Sequence, residues 1–178
     1  MLDIKIRRLQ AEDAEDFRTI RLSALKKSPE MFGSLYSVEA MKPLPFFADR
    51  LANCAVFGAY SNDKIVGVMV FRQADGIKDA HKASLTGVFV EPEFRGQKIA
   101  NALLKAVIDY GSNQVEQILL TVVADNDAAI SLYKKYGFEP YGMEPRALKT
   151  EQGYLDEILM VLIFDESYES YRARFNNR

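Results

Sequence analysis

The sequence predicts an α+β fold, a mixed central sheet flanked by helices. Two observations predict it. First, segments with the two-residue period of half-buried strands and segments with helical spacing alternate unevenly. Their order is strand, helix, helix, three strands, helix, strand, helix, two strands. A doubly wound parallel sheet needs more regular strand–helix alternation than this. Second, the chain has 178 residues, 48% of them hydrophobic, which supplies apolar side chains for one full core. Residues 1–178 therefore read as a single domain, ending in a polar stretch at about 166–178.

Each element has a local reason. Residues 3–9 set Ile4 and Ile6 against charged neighbours and end on Leu9, as a half-buried strand does. Residues 12–27 carry Phe17, Ile20, Ala24 and Leu25 at helical spacing. Glu12 and Asp13 stand where the helix dipole favours acids, and Ser28-Pro29 ends the helix. Residues 30–45 hold apolar side chains without a regular period, restricted further by Pro43 and Pro45. Residues 46–51 read as a short helix. Residues 55–60 and 64–74 are strands joined by Ser61-Asn62-Asp63, a hairpin signal. A loop at 76–80 precedes a long strand, Lys82 to Val90. Then come an amphipathic helix at 99–110, a strongly apolar strand at 118–123 and a helix at 126–136. Strands at 138–141 and 154–164 close the fold. No repeat, low-complexity tract or linker interrupts this order.

Composition limits the function classes. The formal net charge is −2, with acids and bases interspersed, so nucleic-acid binding has no electrostatic footprint. The single cysteine, Cys54, excludes an intramolecular disulfide and a cysteine-only zinc site. One histidine, His81, argues against a histidine-rich metal centre, and no metal is expected. Neither a signal pattern nor a long apolar span is evident, so we expect no membrane partner and a cytoplasmic location. The oligomeric state stays open, with a homodimer among the options.

The junction between the strand ending at Val90 and the helix starting near Ile99 is the most informative stretch. Free N–H groups in a helix's first turn, the helix dipole and the concave turn before them together suit a phosphate. Arg95, Lys98 and Lys105 add local positive charge. The run Arg95-Gly96-Gln97-Lys98-Ile99-Ala100 resembles motif A, R/Q-x-x-G-x-G/A, of the GNAT superfamily of acetyltransferases. Arg95 matches the first position and Ala100 the last. Lys98 stands where the family has glycine, which lets the backbone approach a pyrophosphate closely. A helical φ/ψ at this position would tolerate lysine and keep its N–H available.

Further on, Asn126-Asp127-Ala128-Ala129-Ile130-Ser131-Leu132-Tyr133-Lys134-Lys135-Tyr136-Gly137-Phe138 resembles the family's motif B, N-x-x-A-x-x-x-Y-x-x-x-G-F, at every fixed position. Asn126 also suits a helix N-cap and Gly137 a helix stop. Asn126, Ala129 and Tyr133 share one helical face. The resemblance spans roughly residues 4–164. Residues 25–34, 142–147 and 154–160 further resemble a subset of small bacterial acetyltransferases.

The resemblance implies a sheet splayed into a V between the strands ending at Val90 and Val123. Exposed main chain in that V would pair with the amides of pantetheine. Acetyl-CoA is then the expected cosubstrate, contacted by Val88, Phe89, Val90, Arg95, Gly96, Gln97, Lys98, Ile99, Ala100, Asn101, Asn126, Ala129 and Tyr133. The expected partner is a small amine, with the aromatics Phe32, Tyr36, Phe46 and Phe47 available for its pocket or for the core.

Acetyl transfer to an amine needs a neutral amine, a stabilised oxyanion and a proton for the leaving thiolate. An alkyl ammonium of pKa near 10.4 costs roughly 4.6 kcal/mol to present neutral at pH 7, so an acidic pocket and a proton acceptor are needed. Tyr133 is the expected proton donor, and the Val90 N–H a donor to the carbonyl oxygen. No carboxylate lies on the strand Lys82 to Val90. The base candidates are Glu39, His81 and Glu157, with a water relay through Ser84 or Thr86 equally open. Two other functions fit the same motifs. One is a protein or peptide N-terminal acetyltransferase, and the other is a non-catalytic acyl-CoA-binding sensor.

Overall fold

A computed structural model describes residues 3–165 and contains seven strands and five α-helices among them. The strands are β1 (Ile4–Arg8), β2 (Ala55–Ser61), β3 (Lys64–Gln73), β4 (Lys82–Val90), β5 (Gln117–Val123), β6 (Glu139–Thr150) and β7 (Gly153–Ile163). The helices are α1 (Ala14–Lys27), α2 (Tyr36–Glu39), α3 (Leu44–Asn53), α4 (Ile99–Gly111) and α5 (Asp127–Lys135). All strands join one sheet in the order β1-β2-β3-β4-β5-β7-β6. Every neighbouring pair is antiparallel except β4 and β5, which are parallel. A parallel pair needs a long crossover, and α4 supplies it.

The alternation along β2 and β3 sends side chains into two cores. On one face, Phe57, Met69 and Phe71 pack with Leu103, Leu104 and Val107 of α4. On the other, Val56, Val68 and Val70 pack with Phe17 and Ile20 of α1 and Phe47 of α3. This is the mixed, helix-flanked α+β sheet that the pattern predicts.

The parallel ladder is short. Lys82, Ala83 and Ser84 pair with Gln117, Ile118 and Leu119, and no pair is made beyond them. The reason lies in β4. Thr86 pairs with Val70 and Phe89 with Val68, so Gly87 and Val88 together oppose Met69. This is a β-bulge, and Gly87 takes the left-handed conformation it requires, with φ at 60°. A Cβ there would stand 3.1 Å from Val70 Cγ2. The bulge bends β4 away from β5 and opens the V past Ser84.

Three local expectations are corrected. The segment read as irregular at 30–45 contains a 3-10 turn at Pro29–Met31 and the helix α2, and α3 begins early at Leu44. The strand expected at 138–141 runs on to Thr150. It is an edge strand, largely exposed, so no hydrophobic alternation marks it, and Pro145 is tolerated where β6 breaks register between Glu144 and Leu148. The polar stretch expected at 166–178 lies outside the described residues.

The third correction concerns Lys98, which is not helical. It caps α4 in the left-handed region, at φ 62° and ψ 19°, with no side-chain cap bond. A side chain costs about 1–2 kcal/mol there, and a cation beside a helix N-terminus opposes the dipole. Lys98→Gly relieves both while adding roughly 0.5–1 kcal/mol of unfolded-state entropy. We predict that it raises unfolding free energy by about 0.5–1 kcal/mol in urea denaturation. A loss of stability would show that the lysine is held by interactions that outweigh its backbone cost.

Candidate active site

The V between β4 and β5 opens into a cavity of about 300 Å³. Thr86, Gly87 and Val88 of β4 form one wall, and Thr121, Val122 and Val123 of β5 form another. Asn126, Ala129 and Tyr133 of α5 close one side, and Glu157 of β7 enters next to β5, where it pairs with Val123. Met31 and Phe32 cross from the segment after α1, and Arg21 and Arg50 complete the lining.

Tyr133 is 5% exposed. Its ring meets Phe138 edge-on at 5.8 Å, which fixes the hydroxyl's position on α5. Burial pushes its pKa up to about 12, because the phenolate loses its hydration. The group is therefore a phenol throughout the neutral range. Asn126 caps α5, its Oδ1 accepting the Ala129 N–H at 3.2 Å. Its Nδ2 lies 3.6 Å from Met31 Sδ, tying the turn after α1 to α5.

The turn between β4 and α4 stands at the open end of the V. Gly96 has φ 77°, and a Cβ there would meet nothing within 4 Å, so the turn is open to a ligand. The first-turn N–H groups of α4 have no side-chain cap, which leaves donors for an anion. Arg95 leans back, with its Nε donating to the Val90 carbonyl at 3.2 Å. Glu91 anchors the start of the turn. It is buried and takes hydrogen bonds from Ser23 and Lys27 of α1. Asn101 is engaged by α5, its carbonyl accepting from the Tyr136 hydroxyl at 3.2 Å and its side chain lying 3.3 Å from Lys135 Nζ. The side chains of Phe89 and Ile99 are buried in the two cores, so only their main chain can face a ligand. Gln97 and Ala100 lie between Gly96 and Asn101 on this turn and helix start, Gln97 exposed and Ala100 half-buried.

The base candidates separate. Glu157 lines the cavity. His81 does not. It is exposed at the foot of β4, where its carbonyl accepts the Glu116 and Gln117 N–H groups, at the closed end of the V. Six residues of strand, roughly 20 Å, separate it from Gly87. Glu39 lies behind the cavity wall, 5% exposed. Its Oε1 accepts from Arg21 Nη2 at 2.8 Å and its Oε2 from Arg21 Nε at 3.0 Å. Arg50 Nη1 stands 3.6 Å from the same Oε2. Burial alone would raise the Glu39 pKa, but the Arg21 hydrogen bonds and the Arg21 and Arg50 charges outweigh it and hold the carboxyl below its ordinary range. A carboxylate so held is a poor proton acceptor.

Sequence reasoning did not find Arg21 and Arg50. Arg21 had a signal, since it interrupts the apolar face set by Ala14, Phe17, Ile20 and Ala24. A charge at that position needs a buried partner. Among the described residues no cluster of side chains is arranged to hold a metal ion, and no helix is long and apolar enough to cross a membrane.

Glu39→Gln leaves Arg21 and Arg50 facing each other without a counter-charge. We predict a loss of about 3 kcal/mol at pH 7, of the size found when one partner of a buried ion pair is removed. The folded carboxyl titrates below the ordinary value of 4.5, so its contribution is present above that value and disappears as pH falls through the folded pKa. Urea denaturation of both proteins should show their difference shrinking between pH 5 and pH 3. A gap that is constant with pH would show that Glu39 is not ionised against the arginines.

Comparison with known proteins gives one family. The sequence model of the Acetyltransferase (GNAT) family matches residues 19–138. An L-amino acid N-acetyltransferase of Escherichia coli is 28% identical over 171 residues, covering 92% of this chain and 99% of that protein. Among solved structures, a GNAT-family acetyltransferase from Streptococcus pneumoniae superposes with a TM-score of 0.80 at 22% identity, covering 90% of this chain and 99% of the other. A protein from Salmonella typhimurium solved with its cofactor acetyl-CoA superposes with a TM-score of 0.75 at 20% identity, covering 92% and 95%.

Proposed function

Because the chain belongs to the GNAT acetyltransferase family, we propose that it moves the acetyl group of acetyl-CoA to the primary amine of a small molecule by direct attack. The observation that carries this reading is the cavity in which Tyr133 and Glu157 both stand beside the splayed edge of β4. The Salmonella typhimurium structure of the same fold was solved with acetyl-CoA.

Acetyl-CoA supplies an acetyl thioester whose C–S bond breaks as the amine nitrogen bonds to the carbonyl carbon. The chain's residues do the rest. The main-chain donors from Gly96 to Asn101, at the positive end of α4, receive the pyrophosphate. An anion there would offset the backbone strain and misplaced charge of Lys98. The free edge of β4 at Val88 and Val90 offers strand-like hydrogen bonds to the pantetheine amides. Glu157 attracts the acceptor ammonium and takes one of its protons, directly or through a water held by Thr86 or Thr121. Tyr133 donates a proton to the departing sulfur, and the second proton that the nitrogen loses on becoming an amide restores the phenol through solvent.

Magnitudes constrain that last step. A phenol near 12 is a weaker acid than a thiol of ordinary pKa near 8.5, so transfer to a fully hydrated thiolate would be uphill by roughly 5 kcal/mol. The same burial that raises Tyr133 also raises the pKa of a thiol beside it, and the two approach each other. Tyr133 therefore works as a hydrogen-bond donor whose proton moves as the thiolate forms.

The cavity size supports a small acceptor. At about 300 Å³, shared with the acetyl end of the donor, it suits a molecule of a few to a dozen heavy atoms. Met31 and Phe32 add bulky side chains to its lining, which disfavours a long peptide groove.

We predict that Tyr133→Phe retains coenzyme A affinity and fold while kcat falls on the order of 10²-fold. Glu157→Gln should lower kcat/KM by a comparable factor at pH 7 and lose less at pH 9, where more amine is neutral. Steady-state thiol release over an amine library measures both. Parent-like turnover in both variants would leave acid and base catalysis to solvent and remove these residues from the mechanism.

A further inference from the structure

The acceptor end of the cavity holds more positive charge than the fold requires. Arg21 and Glu39 already satisfy one another through two parallel hydrogen bonds, the fork geometry in which an arginine binds a carboxylate best. Arg50 is then surplus. It lies 3.6 Å from a Glu39 oxygen that Arg21 already engages, too far for a good hydrogen bond. Its guanidinium rests over the rings of Phe17 and Phe46, at 5.5 and 5.9 Å. With its side chain 31% exposed, it can reach a ligand. Burial and the nearby Arg21 charge pull its pKa below the ordinary value, a penalty that an incoming anion would relieve. Arg21 also keeps a nitrogen for the cavity. Its Nη1 lies 3.9 Å from where a Cβ on Gly87 would sit, at the bulge that forms the β4 wall. Two guanidinium groups against one carboxylate leave this corner net positive. Glu157, entering from β7, makes its own wall negative.

A cavity with a positive corner and a negative wall fits an acceptor that carries both charges. We infer that Arg21 and Arg50 form a receptor for the carboxylate of the acceptor, so that the amine substrate is an α-amino acid, with its ammonium directed to Glu157. The inference rests on the acetyltransferase reading for its chemistry, but not for its binding site. Glu39 is a positioning residue in this arrangement: it holds the Arg21 fork and keeps the two guanidinium groups from repelling each other apart. The apolar part of the lining, Phe32, Leu85 and Val122, receives the amino-acid side chain. Dicationic amines are excluded by the same corner, and a peptide N-terminus presents a neutral amide where the arginines expect an anion.

The test compares each common L-amino acid with its carboxamide and with its glycyl-extended dipeptide. Binding is measured by isothermal titration to the protein–coenzyme A complex, and turnover by thiol release. The proposal expects that the best-bound acid outcompetes its own amide and dipeptide by roughly 10–100-fold, the worth of a charge-assisted hydrogen-bond pair. Arg50→Gln should reduce the acid-over-amide ratio at least fivefold while changing amide affinity less than twofold. Preferential binding of an acid without acetyl transfer would support the receptor and overturn the acetyltransferase reading. Equal binding of acids and amides, binding of neither, or a ratio unmoved by Arg50→Gln would overturn the receptor, and turnover on other amines in that case would leave the acetyltransferase reading standing.

Discussion

The parallel ladder between β4 and β5 stops at Ser84 and Leu119, and the space beyond it is what the rest of the molecule is arranged around. Continuing the ladder would fill the sheet and erase the cavity. Gly87 prevents this. Its left-handed backbone puts two residues opposite one on β3, and the resulting bulge turns the end of β4 outward. Strand edges left unpaired in a sheet interior are unfavourable unless water or a ligand reaches them. Here they face an open cavity, and an extended ligand with amide groups can take the place of the missing strand.

Helix α1 connects the two halves of the site. Ser23 and Lys27 hold Glu91 at the start of the turn into α4, Ser28 approaches Arg95, and Arg21 lines the cavity from the same helix. The turn and the Arg21 side of the cavity are thus fixed to one rigid element packed on the sheet through Phe17, Ile20 and Ala24. Precise placement of reacting groups depends on this kind of support.

What the sequence made legible was local. The N-cap at Asn126, the stop at Gly137 and the face shared by Asn126, Ala129 and Tyr133 all follow from helix periodicity and capping, and α5 has that form. The strand–turn–helix junction at Val90–Ile99 was readable for the same reason. Features that depend on partners far along the chain were not. His81 precedes the strand that forms the V, yet a nine-residue strand spans roughly 30 Å, and only Leu85 to Val88 of it line the cavity. Glu39 was visible as an acid but not as an acid already taken by Arg21 of α1, with Arg50 of α3 beside it. The length of β6 was hidden because an exposed edge strand carries no alternation. Lys98 was misread because helical spacing does not reveal a left-handed residue at a cap, which glycine would have announced.

The central claim is that the open edge of β4 and the start of α4 form one binding surface for coenzyme A. Amide hydrogen exchange with and without coenzyme A tests it most directly, since exchange reports protection residue by residue. Exchange should slow at residues 85–90 and 99–101 and stay unchanged around His81, at the closed end of the V. Unchanged exchange at those residues in the presence of saturating coenzyme A, or protection confined to the edge strand β6, would contradict it.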